Sequence, residues 1–138
     1  MAAFARARAA GVQEVVFGDL FLADVRAYRE ERGRSSGIAP AFPLWGRETA
    51  VLAREMLDGG VRATLTCVDP RAVPPELAGQ EYDQALLAAL PAEVDPCGER
   101  GEFHTFVWDS PDFGRPIPVS RGEVVERDEF RFADLRPH

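Results

Sequence analysis

The chain has 138 residues and a mass of 15.2 kDa, with 46% hydrophobic and 28% charged residues, the size and balance of one ordinary domain rather than of a disordered or collagen-like chain. Its 16 basic residues, all arginine, stand against 23 acidic ones for a net charge of −7, which disfavours nucleic-acid binding and, without any lysine, excludes Schiff-base and phosphate-loop lysine chemistry. No apolar run approaches the ~18 residues of a membrane span, residues 1–11 lack the apolar segment of a signal peptide, and Cys67 and Cys97 make no disulfide framework, so cytoplasm is the expected compartment.

The first pattern is QEVVF at 13–17, apolar and β-branched, a strand stopped by Gly18-Asp19. Residues 20–32 carry Phe21, Val25 and Tyr28 at helical spacing, and GRSSG at 33–37 ends that helix. IAPAFPLW at 38–45 reads as a short strand whose ladder Pro40 and Pro43 limit. Residues 47–58 put Ala50, Ala53, Met56 and Leu57 on one helical face, with Gly59-Gly60 as the stop. Strand VRATLTCV at 61–68 follows directly, so the opening reads βαβαβ and predicts a parallel α/β sheet. From Pro70 a proline-rich loop leads to a short helix at 81–90 and, after PCGERG, to strands at 102–108, 116–119, 123–127 and 129–134, an antiparallel meander or hairpin set. The boundary is placed between 1–69 and 70–138.

Ligands of open parallel sheets lie at the carboxyl ends of the strands. Here those ends are Gly18-Asp19, Leu44-Trp45-Gly46-Arg47 and Cys67-Val68-Asp69, which gather carboxylates, an indole and a guanidinium. Asp19 as a plain helix cap and Trp45 as plain packing account for the same residues equally well.

The densest chemical segment is Cys97-Gly98-Glu99-Arg100-Gly101-Glu102-Phe103-His104-Thr105. Its glycines permit a tight turn, on which Glu99 and Glu102 can converge on a small cation or a water, or stand in solvent on a hairpin. GDLFLADVRAYRE (18–30), PLWGR (43–47), Gly79 and CGERGEFHTFVWDSPDF (97–113) together resemble the diphthine–ammonia ligase family of PP-loop ATP pyrophosphatases, also described as adenine nucleotide alpha-hydrolases. The family element G-E-G-G-E-[FY]-x-T falls on Gly98, Glu99, Gly101, Glu102, Phe103 and Thr105, with Arg100 in place of a glycine. The family's S-G-G-x-D-S phosphate turn has no counterpart here, so the chain is expected to be the C-terminal part of such a protein and inactive alone.

The resemblance implies a partial Rossmann-like sheet of HUP type at 1–69 and a small α+β part with antiparallel strands, the acceptor-substrate part, at 70–138. It implies ATP, with magnesium, as cofactor, not retained by this chain alone, and ammonia plus a carboxylate acceptor as partners, diphthine on elongation factor 2 in the family. ATP would activate the carboxylate as an acyl-adenylate and ammonia would displace AMP. Glu99 and Glu102 are the catalytic candidates, for ammonium binding and deprotonation. Gly98, Gly101, Asp19, Trp45 and Arg26 are the substrate-binding candidates, and Gly18 with Asp19 the cofactor-binding ones; Tyr82 and Trp108 are lesser candidates for a quaternary amine. No metal site is expected, since Cys67, Cys97 and His104 lack ligand spacing. The alternative is a non-catalytic remnant or binding module without the phosphate loop. A homo-oligomer, formed through an uncovered sheet edge at 13–17, is the expected assembly, and neither nucleic acid nor membrane is an expected partner.

Overall fold

A computed structural model describes residues 2–138, which divide into two compact units, one up to Arg47 and one from Glu48 onward. In the first, α1 (Ala2–Ala9) precedes β1 (Glu14–Val16), α2 (Ala23–Ser36) and β2 (Ala39–Ala41). Helix α1 had no counterpart in the patterns above; its alanine and arginine content favours helix without an amphipathic stripe to announce it. Strands β1 and β2 pair in parallel, Glu14 opposite Ala39 and Val16 opposite Ala41. Helix α2 runs past the expected stop at Gly33 to Gly37, whose left-handed φ of 68° ends it. Gly33 serves packing instead: a Cβ there would lie 2.7 Å from the Ile38 carbonyl and 2.8 Å from Pro40 Cδ, so only glycine lets helix and strand approach this closely.

In the second unit α3 (Thr49–Asp58) leads into β3 (Arg62–Val68), followed by a single 3₁₀ turn at Pro75–Leu77, β4 (Glu81–Tyr82), α4 (Gln84–Ala89), β5 (Phe103–Asp109), β6 (Val119–Arg127) and β7 (Phe130–Pro137). The mixed α/β class stands, a small parallel sheet followed by an antiparallel one. The strand at 61–68, expected to extend the parallel sheet, is instead the centre of the antiparallel one. β5 flanks it along one edge, and β4 and β7 share the other. The reason is ladder length: β2 is three residues long with a proline at its middle, whereas β3 offers seven residues to three partners. Of the strand expected at 116–119 only Val119 lies in β6, which takes in the strand expected at 123–127, shifts register between Arg121 and Val124, and returns through Asp128 and Glu129, both at positive φ as a tight hairpin turn requires. One core, with Leu65, Val68, Tyr82, Leu86 and Phe103 at its centre, packs α3 and α4 against this sheet. Among the described residues no helix is long and apolar enough to cross a membrane.

Candidate functional site

The turn leading from Val94 into β5 is built around two carboxylates. Asp95 and Glu102 are buried at 5% and 8% exposure, a placement that requires partners for charged groups. Glu102 Oε1 accepts the Asp95 backbone N–H at 3.0 Å and its Oε2 accepts that of Arg100 at 3.0 Å, while the Arg100 guanidinium stands 3.6 Å from Oε1. Asp95 Oδ2 in turn accepts the Glu99 N–H at 2.9 Å. The two acids therefore knit the turn through its own backbone. Gly98 and Gly101 supply the bends at φ 67° and 83°, and a side chain on Gly98 would meet the Phe103 carbonyl at 2.9 Å.

The turn is also pinned from neighbouring elements. The Tyr82 hydroxyl donates to the Pro96 carbonyl at 2.6 Å, and Cys97 Sγ donates to the Thr49 carbonyl at 3.4 Å. Burial, with Asp95 and Glu99 nearby, pushes the Cys97 thiol up to about 11, which makes it a packed donor and no nucleophile at neutral pH. Burial likewise raises the Tyr82 phenol. Glu99 is half-buried, and Glu102 neither stands in solvent nor opens toward a ligand, since both its oxygens serve the turn.

Apart from Tyr82 and Trp108, the remaining candidates lie in the first unit, near the carboxyl ends of β1 and β2. Phe17 and Phe42 stack at 5.6 Å, and Phe42 meets Trp45 edge-on at 6.4 Å. The Arg26 guanidinium lies 4.8 Å from the Phe42 ring centre and 4.6 Å from that of Trp45, with Nε bonded to Glu30 at 2.8 Å. Arg29 covers Phe17 at 4.4 Å and pairs with Asp19 at 2.6 Å, a charge contact whose angle falls outside hydrogen-bond geometry. The aromatic surface considered for a quaternary amine thus already carries arginine. Trp108 is in the same state, under Arg62 at 5.0 Å, and Tyr82 is buried with its hydroxyl engaged. Gly18 has open space about it. Asp69 turns back on Arg71, which holds its carboxyl below the usual range by hydrogen bonds.

No family model matches the chain. Its curated relatives agree on one name. The human diphthine–ammonia ligase is 33% identical over 103 residues, 71% of this chain, and the Danio rerio protein of that name is 32% identical over 105. The Schizosaccharomyces pombe protein is 32% identical over 97 residues. This chain is related to the diphthine–ammonia ligases. It spans about two fifths of the human and Danio rerio proteins, 39% and 40% of their lengths. In this ligase relative Glu99, Glu102, Gly98 and Gly101 share one turn, whereas Gly18, Asp19, Arg26 and Trp45 belong to the other unit. Asp95 was missed by motif reasoning: D-P-C-G carries no catalytic spacing, and only the folded backbone shows the N–H that its carboxylate receives. Among the described residues no group of three His, Cys, Asp or Glu side chains is arranged to hold a metal ion.

Proposed function

We infer that this chain serves an ATP-dependent amidation of the diphthine–ammonia ligase type, and that its turn at 94–103 is where ammonia is handled. The observation that carries this reading is the likeness to curated ligases over 71% of the chain. Asp95 and Glu102 hold the loop by accepting its backbone N–H groups, and Glu99, the other glutamate of the G-E-x-G-E segment, is the residue proposed to take a proton from ammonium. The freed nitrogen lone pair then attacks the activated acyl carbon, the bond to the leaving group breaks with its electron pair, and the nitrogen gives its second proton to solvent water as the amide forms. Gly98 and Gly101 shape the acceptor turn. Arg26 is the proposed anion contact beside Trp45, and Asp19 holds Arg29.

Gly18 and Asp19 do not fit an ATP phosphate. Asp19 is itself an anion paired with Arg29, so it would repel a phosphate. Activation of the acceptor is therefore not assigned to these residues. The same engagement of Glu102 favours a second reading, a binding module in which the turn is only a rigid support.

An exchange separates the two. The matched segment of the human relative, replaced by that of this chain, should keep ammonium-dependent amidation of a diphthine-bearing acceptor. Glu99→Gln in that protein should lower turnover by about 10²-fold with activation of the acceptor intact. A folded chimera without amidation, or one indifferent to Glu99→Gln, overturns the assignment in favour of the binding module.

A further inference from the structure

A cleft in the second unit has a composition that the ligase reading does not use. Along α3, Ala50 and Arg54 stand four residues apart on one face; along α4, Gln84, Leu87 and Ala88 share another. Together with Leu90, Pro91, Ala92, Val94 and Pro96 they line a cavity of about 340 Å³. Arg54 and Gln84 supply its polar side chains. In a chain with 23 acidic side chains, Arg54 makes no ion pair, hydrogen bond or ring contact among the described residues, and the Gln84 amide makes none either. A guanidinium and an amide at an apolar cleft, neither spent on the protein, match an oxyanion with a hydrocarbon body.

We propose that this cleft binds a small carboxylic acid with an apolar body, the carboxylate on Arg54 and Gln84 and the hydrocarbon against Leu87, Ala88 and Val94. The volume suits an acid of about five to eight carbons, at the lower end of small-ligand sites. A carboxylate is preferred over a phosphate because only one guanidinium is present, and the apolar lining adds affinity for a carbon skeleton that inorganic phosphate lacks. The cleft borders the turn of the amidation reading at Val94 and Pro96, but the proposal does not rest on that reading and survives its failure.

The test is titration of the isotopically labelled 138-residue chain with benzoate, benzamide, acetate and inorganic phosphate, followed by amide resonances. Benzoate should saturate with a Kd near ~1 mM or tighter and move Leu87, Ala88 and Val94. Benzamide, which lacks the charge, and acetate and phosphate, which lack the ring, should each bind at least about tenfold more weakly. Arg54→Gln, an exposed helix position, should weaken benzoate by a similar factor; should that variant lose its dispersed spectrum, Gln84→Ala and the benzamide comparison decide. Absence of saturation by about 50 mM benzoate, equal affinity for benzamide, or shifts confined to other elements would overturn the site.

Discussion

Cys97 shows how far one residue's chemistry depends on what surrounds it. In sequence it sits inside the most chemical segment of the chain, next to glycine and glutamate. In the fold it donates to the Thr49 carbonyl, and burial beside Asp95 and Glu99 carries its thiol from the usual 9.0 to about 11. The neutral form is therefore the native one, and the stabilisation it lends is complete below pH 9.0. Between about 9 and 11 the unfolded thiol ionises before the native one, so stability falls as pH rises through that window. Chemical unfolding followed across it should show this decline in the wild type and a flatter curve in Cys97→Ser. Alkylation of Cys97 at pH 8 should be slow beside a free thiol; reaction at the free-thiol rate would contradict the packing described here.

At the scale of the element, the turn at 94–103 behaves as a unit held by carboxylates. Glu102→Gln places an amide N–H₂ against one of two backbone N–H groups that now meet carboxylate oxygens, in a site with little water. The loss should be about 1–3 kcal/mol, the cost of a buried donor left without its acceptor. Glu99→Gln falls at a less buried position and keeps the bond from its own N–H to Asp95, so its loss should be smaller. Thermal unfolding of the two variants side by side checks the order; equal stability would mean that Glu102 does not hold the turn. The motif G-E-x-G-E pointed to the right segment because glycine and glutamate spacing is a local property. It could not show that Glu102 holds the turn, because that depends on Asp95, seven residues before it, and on which backbone groups the fold turns inward.

For the molecule as a whole, β1 is the exposed liability. It is a three-residue strand with one partner, its Val16 is 62% exposed, and an apolar recess lined by Phe4, Val15 and Phe17 lies in the same unit. Two-stranded parallel pairs are marginal alone, and uncovered edges recruit further strands. Light scattering should therefore detect self-association that rises with concentration, and Val16→Lys should reduce it; a monomer at all concentrations with no effect of Val16→Lys would dismiss this edge as a contact.

The sequence by itself determined the local facts: α3 from its apolar face and its Gly59-Gly60 stop, the hairpin from EVVER to EFRFAD, the mixed α/β class, and the kinship with the diphthine–ammonia ligases. The elements and class follow from propensity and periodicity, which act over a few residues, and the kinship from the order of motifs along the chain. Tertiary structure alone decided the partners of β3. Periodicity states that residues 61–68 are a buried strand and is silent on which strand lies beside them, and the ladder with β5, β4 and β7 is won by length. It also decided that Arg26 and Arg62 cover the tryptophans and that Glu102 faces inward. Those outcomes belong to groups brought together from distant parts of a unit: for Glu102 the cost of an unpaired buried charge selects the arrangement, and for the partly exposed arginines the attraction of a guanidinium to an aromatic face does.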